Sequence, residues 1–99
     1  MADYRNGLHL IPEHMHDSVT QWIEEGFPHP RMMGTFFKAI LSNQFVETIS
    51  QADEANYHSL KGWATFLYNY MPSPAYGSYE NLLKWYSFHH PESEQVNEG

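Results

Sequence analysis

The residues with the most chemistry to offer sit at one sharp break in the chain, Gly26-Phe27-Pro28-His29-Pro30, followed at once by Arg31. His29 and Arg31 stand beside the expected start of an apolar helix, and Lys38 lies about two turns along it. A helix N-terminus carries unpaired backbone N–H groups and the positive end of the helix dipole. A phosphate is the ligand such a corner can hold. The plainer alternative is that Arg31 pairs with a surface carboxylate and the prolines only turn the chain. A second cluster runs from Tyr68 to Tyr79, where Tyr68, Asn69, Tyr70, Tyr76 and Tyr79 surround Pro72, Pro74 and Gly77. Tyrosines can stack on a base and hydrogen-bond a sugar or phosphate. Core packing with hydroxyls at the surface is the alternative there.

Other chemistries find less support. His14 and His16 flank Met15, and side chains two apart on a helix point to different faces. Zinc-binding helices use i, i+4 pairs, so no metal site is expected. His89-His90 is a weaker candidate still. The adjacent carboxylates Glu24 and Glu25 diverge around a helix and do not act as a pair. Nothing resembles a nucleophile elbow or a glycine-rich phosphate loop, and there is no cysteine. Neither enzymatic activity nor a cofactor is expected.

The formal charge is −7, and the five cations, Arg5, Arg31, Lys38, Lys61 and Lys84, are scattered. Duplex nucleic acid needs clustered Lys and Arg, so it is not an expected partner. Below about pH 6.5 the seven histidines offset much of the charge. An acidic protein of this size can still bind a basic protein, or one small anion through a focused pocket. The absence of cysteine fits a reducing cytosol. No apolar N-terminal run resembles a signal peptide, and no stretch of about 18 apolar residues can span a bilayer.

A chain of 99 residues supports one modest core, rich in aromatic side chains, and the periodicity predicts an all-α bundle of four to five short helices. Residues 1–10 read as an extended N-terminal arm, 11–90 as a single helical domain, and 91–99 as a disordered acidic tail. Helix one is expected over Glu13–Glu25: Pro12 suits a helix start, Met15, Val19, Trp22 and Ile23 share a face, and Gly26 suits a left-handed cap. Helix two should begin at Pro30, with a broad apolar stripe of Met33, Phe36, Phe37, Ile40 and Leu41. Gly34 then falls inside a helix, where it costs about 1 kcal/mol against Ala; close approach of a helix or ligand is the suggested reason. Ser42-Asn43 reads as a stop and restart before a third helix, from Gln44 to about Asn56, with Phe45, Ile49 and Ala52 on one face and Val46 beside them. Asp53, Glu54 and Asn56 are its wet side or its exit. Ser59 can cap a fourth helix to about Tyr70, and these two helices can also be one kinked helix. Ser78 caps the last helix, which ends at His90-Pro91.

Several of these motifs, in order, resemble a family of small proteins common in bacteriophages and prophages. They are Ile11-Pro12-Glu13-His14-Met15, Trp22-Ile23-Glu24, Gly26-Phe27-Pro28, Leu41-Ser42-Asn43, Ala52-Asp53 with Asn56, Leu67-Tyr68-Asn69, Pro72 and Tyr76-Gly77-Ser78. The resemblance covers about Ile11 to Trp85. It departs at Phe27-Pro28-His29-Pro30, where the family tends to have Pro-Pro-Gly, and at Lys61, where the family often has Pro. The family usually carries no assigned function. Small non-enzymatic phage proteins often block host defence, and one group, the sponges, sequesters cyclic nucleotide or ADP-ribose-type signals of systems such as CBASS and Thoeris. The resemblance therefore implies a phage-encoded sponge in the host bacterial cytosol, acting as a homo-oligomer. Its expected ligand-binding residues are His29, Arg31, Lys38, Asn43, Asn69, Tyr70 and Tyr76. Arg31 would meet phosphate, an aromatic such as Trp22, Tyr70 or Tyr76 would stack a base, and Asn43 or Asn69 would read polar edges. The alternatives are an acidic inhibitor that binds a host protein directly, for example by imitating nucleic-acid charge, and a phage regulator or accessory subunit with no small ligand.

Overall fold

Three tryptophans fix how the helices meet. The computed structural model describes residues 3–91, and among them it is all-α. Its α-helices are α1 (His16–Glu25), α2 (Thr35–Leu41), α3 (Phe45–Gln51), α4 (Glu54–His58), α5 (Leu60–Asn69) and α6 (Tyr79–His89). Short 3-10 segments cover Tyr4–Leu10, Glu13–Met15, Pro30–Met32 and Ser73–Ala75. The expected tail falls on residues 92–99, outside the described residues.

Trp22 and Trp63 are fully buried. A buried indole N–H must find an acceptor, and here each acceptor lies on another element. Trp22 of α1 donates to the Ala75 carbonyl at 2.9 Å. Trp85 of α6 donates to the Trp22 carbonyl at 2.8 Å. Trp63 of α5 donates to Asn56 Oδ1 of α4 at 3.0 Å. Phe36 and Phe37 of α2 close on the Trp63 ring, with centroids 5.7 and 6.4 Å away. The tryptophans thus combine large apolar burial with a directional bond that sets register.

Local chemistry accounts for most helix ends. Val19, Trp22 and Ile23 form the buried stripe of α1. Gly26 ends it at φ +60°, and its N–H donates to the Trp22 carbonyl at 3.0 Å. A Cβ at Gly26 would also fall 2.7 Å from His89, so conformation and packing both require glycine. Asn43 carries the left-handed turn between α2 and α3, at φ +63°. The Ser78 hydroxyl caps α6 by accepting the Asn81 N–H at 3.0 Å. The Gly77 N–H donates to the Leu41 carbonyl at 2.7 Å, which ties the second Pro/Gly loop to the end of α2.

Several expectations need correction. There are six α-helices among the described residues, not four to five. Pro30 opens only a 3-10 turn. Met33 and Gly34 are extended, with ψ 148° and 149°, and α2 starts at Thr35. Gly34 is therefore outside the helix, exposed, with nothing within 4 Å of a Cβ placed there. The long third helix is cut at Ala52-Asp53, because the Asp53 carboxylate accepts the Asn56 N–H at 2.7 Å and caps a new helix. Ser59 makes no capping bond and passes α4 into α5 through near-helical backbone. Asn56, expected on the wet side or at the exit of that helix, is 2% exposed and accepts from Trp63. The N-terminal arm is not extended. Tyr4–Leu10 winds as a 3-10 helix and packs on α5. The Tyr70 ring lies over Gly7, and the Leu10 carbonyl lies over Gly62, where an added Cβ would sit only 2.0 Å away. Arg5 fastens this segment to Glu24 of α1 at 3.1 Å. The Tyr4 hydroxyl also donates to Glu24, and burial, then that carboxylate, push the phenol pKa up.

The largest surprise is α3. Its polar Thr48 is buried, while Phe45 and Val46 are 74% and 75% exposed. The Thr48 hydroxyl is satisfied within the helix, donating to the Gln44 carbonyl at 2.6 Å. Leaving Phe45 and Val46 in water forgoes about 1.5–3 kcal/mol for each.

Candidate functional site

A cleft of about 470 Å³ opens between α1, the start of α2 and the α3–α4 junction. That volume falls in the range of small-molecule sites, roughly 300–1,000 Å³. Met15, Phe27, Pro28, Met33, Phe36 and Phe37 supply an apolar wall. The first Pro/Gly break positions this wall. Gly26 turns the chain out of α1, the Phe27–Pro28 bond is cis, and the extended Met33-Gly34 step brings the chain back to α2. Phe27 is left 49% exposed, an uncovered ring at the cleft.

Among the polar residues of the cleft, hydrogen-bonding side chains are held in pairs. His14 Nε2 lies 3.1 Å from the Asp53 carboxylate, which links the Glu13–Met15 segment before α1 to the α4 cap. The Thr35 hydroxyl donates to Gln51 Oε1 at 3.1 Å, across from α2 to α3. Gln51 in turn donates to Glu47 at 3.3 Å. Ser18, Gln21 and Asn56 complete the polar lining. Ser18 follows His14 by one turn, yet no hydrogen bond joins them, so no nucleophile–base contact is formed. No Lys or Arg is among the residues lining the cleft. The arrangement suits an uncharged, flat or partly apolar group with its own donors and acceptors.

The seven residues expected at the site lie elsewhere, and they do not meet in this cleft. His29 is half-buried at the head of the Pro30–Met32 turn. Its Nδ1 accepts the Arg31 N–H at 3.1 Å, and its ring meets Tyr86 of α6 edge-on at 4.8 Å. Burial, then the charge of Arg31, hold the His29 pKa below its ordinary value. A neutral imidazole that already occupies the Arg31 N–H makes this corner a poorer anion site than expected. Arg31 itself is exposed and forms no ion pair among the described residues. Lys38 is half-buried on α2. Asn43 borders a separate apolar groove between α2, α3 and α5. Asn69 is exposed and donates to the Thr65 carbonyl one turn back at 3.0 Å. Tyr70 stacks on Phe66 at 6.0 Å and is occupied by the N-terminal segment. Tyr76 packs at the edge of the core, and its carbonyl accepts from Asn81 at 3.0 Å. The Pro30–Met32 and Ser73–Ala75 turns do share a support, since both rest on α6.

Sequence reasoning missed His14, Thr35, Gln51 and Asp53 as partners. One signal was there: Asp53 three residues before Asn56 is the spacing of a helix N-cap, and a capping Asp is fixed in space. Nothing in the sequence showed that His14, thirty-nine residues earlier, would reach it. No family model, curated protein or solved structure matches this chain.

Proposed function

We propose that this chain is a non-catalytic binding protein that sequesters a small nucleotide-type ligand, taking its base or sugar into the His14–Asp53 cleft. One observation carries this reading: a cleft of about 470 Å³ joins an aromatic and methionine wall to pre-paired hydrogen-bonding side chains. Fixed donors and acceptors beside an apolar face are what a base or nucleoside requires. The phosphate falls to the rim. Arg31 and Lys38 bracket the cleft-lining run Met33–Phe37 in the sequence. The resemblance to small phage proteins supplies the setting: a sponge, encoded by phage or prophage, for a cyclic nucleotide or ADP-ribose-type immune signal in the host cytosol.

The reading as an inhibitor that imitates nucleic-acid charge would be favoured by carboxylates gathered on one face. The described ones are spread from Asp3 to Glu80 over α1, α3, α4, α6 and the segments before α1 and α4, and Asp3, Glu24, Asp53 and Glu80 are engaged by Arg5, His14 or Lys84.

Thermal unfolding with a panel of nucleosides, cyclic nucleotides and cyclic ADP-ribose derivatives tests the proposal. A true ligand at about 100 times its Kd stabilises the fold by about 2.7 kcal/mol. Asp53→Asn keeps a good helix cap but removes the carboxylate facing His14, and should weaken binding with little loss of stability. Arg31→Ala should weaken phosphorylated ligands and leave nucleosides unaffected. A panel in which nothing raises the melting temperature sinks the reading.

A further inference from the structure

We infer that the face made by α3 and α5 around Phe45 and Val46 is a self-association surface that seats a second copy of this chain. The α3 segment buries Thr48 and turns Phe45 and Val46 outward, 74% and 75% exposed. Phe45 borders a groove of about 230 Å³ whose other apolar walls are Ile40, Ile49, Leu60, Ala64 and Leu67, and Val46 follows it on the helix. One face thus carries a projecting aromatic and an adjoining apolar slot. An isologous dimer requires this pairing, because the same patch must supply both knob and hole.

Charge and area select the occupant. The chain carries −7, yet none of the residues lining the groove is charged. A basic partner finds no carboxylate in the groove to recognise, and the neighbouring Glu47 of α3 already accepts from Gln51. Two acidic copies, in contrast, can meet across a neutral patch without placing like charges in contact. Phe45, Val46, the part-exposed Ile49 and Tyr68, 84% exposed and one turn on from Ala64, offer about 500 Å² per copy, estimated from typical side-chain areas. A pair would bury about 1,000 Å², the lower bound for a specific interface. The groove and the His14–Asp53 cleft share no lining residue, so this inference stands apart from the proposed function.

Sedimentation velocity of the full chain through the micromolar range tests it. The expected species is a dimer. Phe45→Glu should weaken its Kd by about 30-fold or more, as loss of a central aromatic anchor does. Val46→Asp, at an equally exposed position, should do the same, and it decides the matter if Phe45→Glu fails to fold. Phe88→Glu, on α6 and 73% exposed, should leave the dimer intact. A monomeric wild type would show that something other than this chain covers the face, and would overturn the inference. So would a dimer that survives the α3 variants, or one that Phe88→Glu breaks.

Discussion

Replacing Gly62 by Ala should unseat the N-terminal segment from α5. A Cβ at Gly62 would fall 2.0 Å from the Leu10 carbonyl oxygen and 3.0 Å from its carbon. Both are backbone atoms, so no side chain can rotate away. Overpacking of this kind costs about 1–3 kcal/mol, and a backbone clash this close belongs at the upper end. Alanine returns up to about 1 kcal/mol through helix propensity. The net loss is about 2 kcal/mol, or a fall in Tm of about 8–16 °C for a domain of this size. Urea unfolding followed by circular dichroism measures it. Gly34→Ala is the internal control. Its backbone is extended at φ −58° with open space around it, so stability should change by less than about 0.5 kcal/mol. Gly7→Ala strikes the same docking from the other side, since its Cβ would sit 2.5 Å from the Tyr70 ring. The double variant Gly7→Ala/Gly62→Ala should lose less than the sum of the singles, because the segment can be undocked only once. A Gly62→Ala protein as stable as the wild type would refute the packing of Tyr4–Leu10 on α5.

Two further outcomes follow from buried polar groups. Asn56→Ala strands the Trp63 indole N–H, which donates to Asn56 at 3.0 Å, and should cost about 1–3 kcal/mol in urea unfolding; a loss below about 0.5 kcal/mol would mean that another acceptor takes over. Burial first, then Arg31 and His90 respectively, lower the pKa values of His29 and His89 below the ordinary 6.5. The unfolded chain then binds these protons before the folded one does, so stability is full above about pH 6.5 and falls as pH drops through the folded values. The slope of the urea midpoint against pH should flatten in His29→Gln/His89→Gln, and an unchanged slope would assign the acid sensitivity to other groups.

The break from Gly26 to Pro30 stands out in the sequence as a corner that could hold a phosphate through His29 and Arg31, whereas in the structure its Phe27 and Pro28 form part of the cleft wall. Its charged residues were read as the site itself, and there the geometry differs. An N-terminal anion corner requires a helix that starts at Pro30, but Met33 and Gly34 run extended before α2 begins. For Tyr70 and Tyr76 the sequence leaves ligand contact and core packing both open, because nothing local reveals that Tyr4–Leu10 and the core will cover them.

The sequence by itself determined the helical class, the stripe of α1, the Gly26 stop, the Ser42-Asn43 break and the Ser78 cap. Each rests on spacing within a few residues: apolar periodicity, a φ that only a few residue types accept, or a side chain bonding a nearby backbone N–H. What only the tertiary structure decided is which atoms meet across long separations. Trp22 with Ala75, His14 with Asp53, and Leu10 over Gly62 depend on chain closure, which no local pattern encodes. The outward turn of α3 belongs there too. Periodicity shows that Phe45 and Ile49 share a face, but which way that face points was settled by the helices already filling the core.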